Sequence, residues 1–548
     1  MAGRKLNAQF FDFLASVSIL PLVFKIQSLR ATITDTTLRA TLQKHWSFSS
    51  FRSIQLPVIK SFIQNKSCLA IMPTGTGKSL CYQLPSLIVD APILVICPLV
   101  SLMLDQCYQA TKYGIRALSI HSGMSSDEKA VAYQQFGDGK CDLLFVSPER
   151  LEQASFRELL LRTTIAGIVI DEAHCISQWG YDFRPSYLKL HQLYEMKPDA
   201  PILALTATAT QRGAADIIRL LSVSNMRLIR KDQQRSNLRL HITKLDDKRG
   251  YILNHLDRYS ATIIYVRSRK HVEVFSDYLQ SQGVNAIPYH AGLSKIQREK
   301  NQALWFSGHR QCIVATNAFG MGVNKNNVRQ VFHYGIPPTI EEYVQEIGRA
   351  GRDGQIAECH MLYNQKDISL DRFRERQIID WQGFIDAIST KSLNVFRQNK
   401  LQSLMSKLGL GDTDVHKNRM LNQVKLRGLR TLFERIQQPK INHFMHMYTY
   451  IQLSSCRHVY LSHYFSHEEV SVCHNCDNCI NLSSKMLQQL DKAEILSLIR
   501  SLHSIKIDDV ISKFSSYKRR DVLRAISELY EEELLVCQDH MIYRKDVF

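Results

Sequence analysis

CLAIMPTGTGKSLCYQLPSLI, residues 68–88, joins an apolar run to a glycine-rich turn and then to a helical pattern. Gly75 and Gly77 let the backbone curl until successive N–H groups face one point, a geometry that holds phosphate oxygens. The helix that follows adds the positive end of its dipole. Lys78 is placed to reach the β- and γ-phosphates of ATP, and the Ser79 hydroxyl to ligate Mg²⁺. Thr74 and Thr76 complete the loop. A strict phosphate loop opens on Gly; this chain has Met72.

The same rhythm of apolar run, turn and helical pattern continues outward. ILVIC (93–97), LLFVS (143–147), GIVI (167–170) and ILALT (202–206) follow CLAIM (68–72). Such continuous apolar runs predict a parallel sheet covered on both faces, an α/β doubly wound domain. The pattern pauses around 225–245 and restarts with TIIYV (262–266), AIPYH (286–290), QCIVAT (311–316), VRQVFHY (328–334) and ECHMLY (358–363). The expected boundaries are a leader at 1–34 and tandem α/β domains at 35–230 and 231–365. A helical zinc-binding module at 366–482 and a winged-helix-like domain at 485–548 come after them. The last ends in a hairpin, LLVC (534–537) and MIYRK (541–545).

Bulk properties narrow the function. Lys plus Arg total 69 against 51 Asp plus Glu, a net charge of +18 that suits a polyanionic partner. Of thirteen cysteines, nine are scattered singly, several in apolar runs, which excludes a secreted disulfide scaffold. The stretch 10–26 carries Asp12 and is short for a membrane span, so it reads as an accessory leader.

Two further segments complete an ATP site. DEAH (171–174) directly follows the strand GIVI. Two carboxylates at a strand end are costly unless they meet a cation or water. Asp171 would join Ser79 at Mg²⁺, and Glu172 would orient and deprotonate the attacking water. In the other domain, YVQEIGRAGRDG (343–354) sets Arg349 and Arg352 on a glycine-rich turn, suited to charge developing on the γ-phosphate. Gln345 stands in the same segment. ATP would sit in the cleft between the domains, and its hydrolysis would change how tightly the cleft closes.

In order, FRSIQ (51–55), MPTGTGKS (72–79), CPLVSLMLDQ (97–106), FVSPERL (145–151), DEAH, LTATAT (205–210), IIYVRSR (263–269), ATNAFGMGVNK (315–325) and QEIGRAGRDG (345–354) resemble a superfamily 2 helicase. Within it the chain resembles the RecQ family of DNA helicases, over roughly residues 35–480. The resemblance implies two RecA-like domains and a 3′-to-5′ DNA-unwinding activity. It assigns Arg52 and Gln55 to adenine, with Phe48 stacking on the base. It makes CISQWGYDFRPSY (175–187) an aromatic-rich loop in which Trp179, Phe183 and Arg184 contact single-stranded bases, with His174 and Gln178 as relays to hydrolysis. Cys456, Cys473, Cys476 and Cys479 match the family's zinc module, whose spacing suits a closed, structural Zn²⁺ site.

There are departures. Asn324 stands where the family usually has an acid, the stretch 380–440 is longer than usual, and no HRDC domain is expected after the hairpin. The hairpin, with His540 or Tyr543, would separate strands. The expected partners are single-stranded and branched DNA, with single-strand-binding or other repair proteins. The chain is expected to be a monomer with no membrane partner, cytoplasmic and nucleoid-associated in a bacterium or nuclear in a eukaryote. Two other readings are an RNA helicase, which DEAH alone would allow, and a silent nucleic-acid clamp, against which intact Lys78, Glu172 and Arg352 argue.

Overall fold

The computed structural model describes residues 33–177, 185–232, 234–319, 325–368, 442–465, 470–481, 495–499, 504–514, 522, 526, 529, 534–538 and 541–544. Residues 1–32 of the leader and the 380–440 stretch lie outside them, as do Gln178, Trp179, Phe183, Arg184, Asn324 and His540. The chain forms two compact units. One comprises Met1–Leu453 with Tyr460–Val470, the other Ser454–Val459 with Ser471–Phe548.

The first unit holds two parallel sheets. The N-terminal sheet contains β1 (Cys68–Ile71), β2 (Ile93–Ile96), β3 (Ala117–Ile120), β4 (Leu143–Val146), β5 (Gly167–Ile170), β6 (Ile202–Thr206) and β7 (Arg227–Arg230). Their order is β3-β4-β2-β5-β6-β1-β7. Alternate residues of the inner strands feed opposite cores. Leu69, Ile71, Leu94, Ile96, Ile168 and Ile170 lie in one core, while Cys68, Ala70, Ile93, Val95 and Val169 lie in the other. This division is why the inner runs are continuously apolar: every residue of β1, β2, β4, β5 and β6 is buried. Each fully buried Ile or Leu is worth about 1.5–3 kcal/mol. A charge inside such a run would forfeit that and add a desolvation cost.

The second sheet contains β8 (Leu238–Lys244), β9 (Ala261–Tyr265), β10 (Ala286–Tyr289), β11 (Cys312–Ala315), β12 (Val328–Tyr334) and β13 (Ala357–Tyr363). Their order is β10-β11-β9-β12-β13-β8, again all parallel. The expected pause across 225–245 is therefore corrected: it holds two strands. β7 adds to β1 at one sheet edge and β8 to β13 at the edge of the other. Edge strands have one wet side, so RLIR and LRLHITK alternate with charges and hide from a search for apolar runs.

A helix over 442–452 and residues 460–465 pack on the second sheet's domain. Tyr464 donates to Glu341 Oε1 at 2.6 Å, Tyr450 packs on Tyr343 at 5.5 Å, and Ser462 donates to Asp232 Oδ1 at 2.7 Å.

The second unit holds the four clustered cysteines and a small antiparallel sheet of β14 (Ser504–Lys506), β15 (Leu535–Gln538) and β16 (Met541–Arg544), ordered β14-β16-β15. The expected hairpin is the β15–β16 pair. β14 adds a third strand that three residues were too few to announce. Ile495, Ile499, Val510, Leu529, Leu535 and Ile542 form its core. The backbone of Tyr543 lies mid-strand, opposite Ser504 and Val536.

Candidate active site

In a parallel α/β sheet, ligand sites form outside the carboxyl ends of the strands. β1 ends at Ile71 and passes through the loop to the helix Leu80–Ser86. The loop turns on Gly75 and Gly77, with φ of 80° and 78°, values that a side-chain-bearing residue rarely adopts. Thr76 Oγ1 ties back to the carbonyl of Pro73 at 2.6 Å. β5 ends two strands away and delivers Asp171 and Glu172 to the same rim. Glu172 sits in the left-handed region, with φ of 49°. That backbone is costly for a residue with a side chain, and such strain concentrates at functional positions.

The two carboxylates behave differently. Burial and the adjacent Glu172 charge raise the Asp171 carboxyl above its usual range. Burial alone would also raise Glu172; His174, Lys78 and Arg349 outweigh it and hold the carboxyl low, at about 2. His174 is itself buried, with Nδ1 3.3 Å from Glu172 Oε2 and 3.1 Å from Thr206 Oγ1 at the end of β6. A chain of polar contacts thus runs from the β5 carboxylates to the LTATAT segment. Burial lowers the Lys78 ammonium, and Glu172 and Asp171 oppose that shift.

The second sheet's domain closes the site from above. Helix Ile340–Ile347 carries the buried Gln345 and leads into the turn Gly348–Arg352. Gly348 lies so close to the phosphate loop that a Cβ on it would fall 1.7 Å from Thr74 Oγ1. A Cβ on Gly75 would fall 3.0 Å from Arg352 Cγ. Arg349 acts electrostatically on Glu172 and Arg352 on Lys78. Burial, and then the charges of Arg349 and Arg235, weaken the hold of Arg352 on its proton. Lys78, Asp171, Glu172, Arg349 and Arg352 are therefore brought together.

Two residues missed in the sequence brace this turn. Arg235 donates from Nη1 to the Gly348 carbonyl at 3.1 Å and from Nη2 to the Gly351 carbonyl at 2.5 Å. Asn237 Nδ2 donates to the carbonyls of Gly351 and Gln355, both at 2.8 Å. Their signal was the RSN triplet just before β8, inside the stretch read as a pause.

The residues that the resemblance assigns to adenine lie just before and at the start of the helix Gln55–Ile63. Phe48 is exposed, with the Arg52 guanidinium 5.8 Å from its ring. Gln55 is buried. Its Nε2 donates to the carbonyls of Thr76 and Gly77 at 2.9 and 3.1 Å, and its Oε1 accepts from the Arg52 N–H at 2.8 Å. The amide donors reserved for a base are thus committed to the phosphate loop. Gly77 turns its carbonyl into their path, and only Oε1 keeps a lone pair to offer.

In the second unit, Cys456 and Cys473 Sγ lie 3.4 Å apart, Cys473 and Cys479 3.7 Å, and Cys476 and Cys479 3.4 Å. A disulfide needs about 2.05 Å, whereas four thiolates around one Zn²⁺ at 2.3 Å bonds stand roughly 3.8 Å apart. The cluster fits zinc. Backbone N–H groups of Arg457, Cys473 and Cys476 point at the sulfurs of Cys476, Cys456 and Cys473 at 3.4–3.5 Å. The Arg457–Asp477 ion pair, 2.7 and 3.0 Å, braces the cluster from outside. The nearby His474 has a positive φ of 56° and is not among the grouped ligands.

Known proteins share this arrangement. The DEAD/DEAH box helicase model matches residues 52–217, the helicase conserved C-terminal domain model 244–354, and the RecQ zinc-binding model 412–480. The chain is 34% identical over 483 residues to the ATP-dependent DNA helicase RecQ of Haemophilus influenzae, covering 87% of this chain and 68% of that one. The chain belongs to the RecQ family of ATP-dependent DNA helicases. The Bacillus subtilis ATP-dependent DNA helicase RecQ is 38% identical over 341 residues, 61% of this chain and 57% of that one. Among solved structures, the DUF1998 helicase MrfA bound to DNA shares the fold, with a TM-score of 0.52 at 20% identity over 63% of this chain and 50% of that one. The RecQ assignment accounts for both parallel sheets, which are RecA-like, and for the cysteine module. No helix among the described residues is long and apolar enough to cross a membrane.

Proposed function

We propose that this RecQ-family chain couples ATP hydrolysis between its two RecA-like domains to 3′-to-5′ movement on single-stranded DNA, unwinding duplex and branched DNA in recombination and repair. The observation that carries the reading is the turn Gly348–Arg352 resting on the phosphate loop, which makes the site a composite of two domains. The curated relatives are matched over only 68% and 57% of their lengths, so polarity, DNA structure and pathway are part of the proposal.

Lys78, Arg349 and Arg352 would hold the triphosphate, whose negative charge balances this concentration of cations. Thr74, Gly75, Thr76 and Gly77 would cradle it with backbone N–H groups. Arg352 would face charge developing on the γ-phosphate, with Arg349 beside it and Gln345 on the helix that leads into their turn. Glu172, held ionised, would take a proton from the attacking water. Ser79 and Asp171 would hold Mg²⁺, which supplies charge neutralisation at the β- and γ-oxygens. Phe48, Arg52 and the free lone pair of Gln55 would select adenine. The four cysteines would hold structural Zn²⁺.

Coupling to DNA would run from Trp179, Phe183 and Arg184 through Gln178 and His174 to Glu172. The contact of His174 with both Glu172 and Thr206 supports that route. The chain would act as a monomer alongside single-strand-binding or other repair proteins, where chromosomal DNA is processed: the bacterial nucleoid or the eukaryotic nucleus. The deciding experiment compares ATPase stimulation by single-stranded DNA and RNA, then unwinding of 3′-tailed, 5′-tailed, forked and four-way DNA. Stimulation by RNA alone, or unwinding only from a 5′ tail, would overturn the reading.

A further inference from the structure

The second sheet carries another group of metal-ligating side chains, at the edge farthest along from β10. His241 on β8 and His360 on β13 are register partners, and Glu358 stands two residues before His360 on the same face. One ring nitrogen from each histidine and one Glu358 oxygen lie within 4.8 Å of one another. His241 Nε2 is 2.6 Å from Glu358 Oε2. The two imidazoles stack at 4.8 Å with an interplanar angle of 16°, so modest ring rotations would converge their nitrogens.

The surroundings resemble those of a ligand set. Metal-binding histidines and carboxylates are usually oriented by a second hydrogen bond from outside the metal's reach. Tyr251 Oη lies 3.3 Å from His360 Nδ1, and Arg239 donates to Glu358 Oε1 at 3.1 Å. Glu358 Oε2 is left to His241 Nε2, and a metal would replace the proton between these two atoms, with His360 Nε2 as the third ligand atom. Phe332 stacks on the other face of His360 at 4.7 Å and fixes that ring. Phe332 belongs to the apolar core of this domain, so polar ligands here sit at the border of a face that would otherwise be hydrocarbon.

We propose that His241, Glu358 and His360 bind a divalent transition metal of the zinc class, separately from the cysteine cluster. Two imidazole nitrogens and one carboxylate oxygen suit a borderline ion such as Zn²⁺ or Co²⁺ over Mg²⁺ or Ca²⁺, which prefer all-oxygen shells. Three protein ligands leave a fourth position for water. The consequence is mechanical. β8 is the first strand of its sheet and β13 the last. A metal bridging them would clip the ends of the whole second RecA-like domain, and cross-links that close long loops restrict the unfolded chain most. Arg239, beside the carboxylate, opposes the incoming charge and points to affinity short of that of a four-thiolate site.

The test is a metal count on the full chain. Purified protein is dialysed against micromolar Zn²⁺, and bound metal is measured per chain. Two zinc ions are expected for the natural sequence and one for His241→Ala or His360→Phe, with ATPase activity retained as the control for folding. Loading with Co²⁺ adds the spectroscopic check: the second equivalent should bring ligand-field absorption without the thiolate charge-transfer bands of the first. Added zinc should raise the thermal midpoint of the natural chain and not of the variants. A single zinc in the natural chain overturns the proposal, and so does a second zinc that both variants keep.

Discussion

Gly348 lies against Thr74 so closely that a methyl group on the glycine would sit 1.7 Å from the threonine hydroxyl oxygen and 2.8 Å from the Val344 carbonyl. The two residues belong to different RecA-like domains, and their approach sets the register of the composite ATP site. Gly348→Ala should therefore push the turn away from the phosphate loop while leaving each domain folded. Misplacing catalytic groups by about 1 Å can cost on the order of 10²-fold in rate. ATPase turnover should fall on that scale, with circular dichroism unchanged. Turnover equal to the natural chain would show that the cleft closes some other way.

Glu172 is strained in its backbone and held ionised by its neighbours. Glu172→Gln keeps the shape and removes the proposed base. We expect ATP binding to persist and turnover to drop by about 10²–10⁴-fold, the usual worth of general base catalysis. Equilibrium nucleotide binding and steady-state ATPase on one preparation check both halves. A variant that turns over normally would take the proton-accepting role away from Glu172.

The opposing domain supplies two kinds of arginine, and they should separate kinetically. Arg352 adjoins the loop itself, while Arg235 reaches only the carbonyls of Gly348 and Gly351. Arg352→Ala should lower kcat by about 10³-fold or more with little change in KM, as for an arginine that meets transition-state charge. Arg235→Ala should cost less, because it loosens the turn without removing the charge. Equal losses in both variants would mean that the brace, not the charge, dominates.

How much of this was legible in the sequence depended on burial. β1, β2, β4, β5 and β6 announced themselves because both faces of each strand are covered, leaving no room for a polar residue. β7 and β8, at the edges, alternate with Arg, His and Lys and were read as a pause. Arg235 and Asn237 were lost with them, since their work is done on backbone carbonyls more than a hundred residues away. The phosphate loop, the β5 carboxylates and the cysteine cluster were visible because each keeps its chemistry within a few adjacent residues. Gln55 was visible as a residue, yet its bonds were not. Only folding reveals that Thr76 and Gly77 present the carbonyls that take its amide hydrogens.

The sulfur spacing in the cysteine cluster leads to a metal-removal experiment. With Sγ atoms 3.4–3.7 Å apart and the Arg457–Asp477 pair against them, loss of one thiolate should release the ion and loosen that unit. Cys476→Ser should lose the thiolate-bound zinc and gain protease sensitivity in the segment 454–481. Apolar burial in the first unit should keep its own unfolding transition. Full zinc content in Cys476→Ser would remove that residue from the ligand set.

Tyr265 joins two segments whose coordination no motif explains. Its hydroxyl donates to the Phe319 carbonyl at 3.0 Å, and the Arg349 guanidinium acts electrostatically on that hydroxyl. Its ring also stacks on His333, which pairs with Glu346 at 2.8 Å one turn before Arg349. Burial raises the Tyr265 phenol, so at neutral pH it stays protonated and able to donate. Tyr265→Phe preserves the ring packing and deletes only the bridge. Losing a buried hydrogen-bonding group is worth about 1–3 kcal/mol. If the bridge positions Arg349 during hydrolysis, that loss should appear as a roughly tenfold fall in kcat, with KM for ATP and the thermal midpoint nearly unchanged. A purely structural bridge would instead lower the thermal midpoint and spare kcat, so measuring both on one variant distinguishes the two roles.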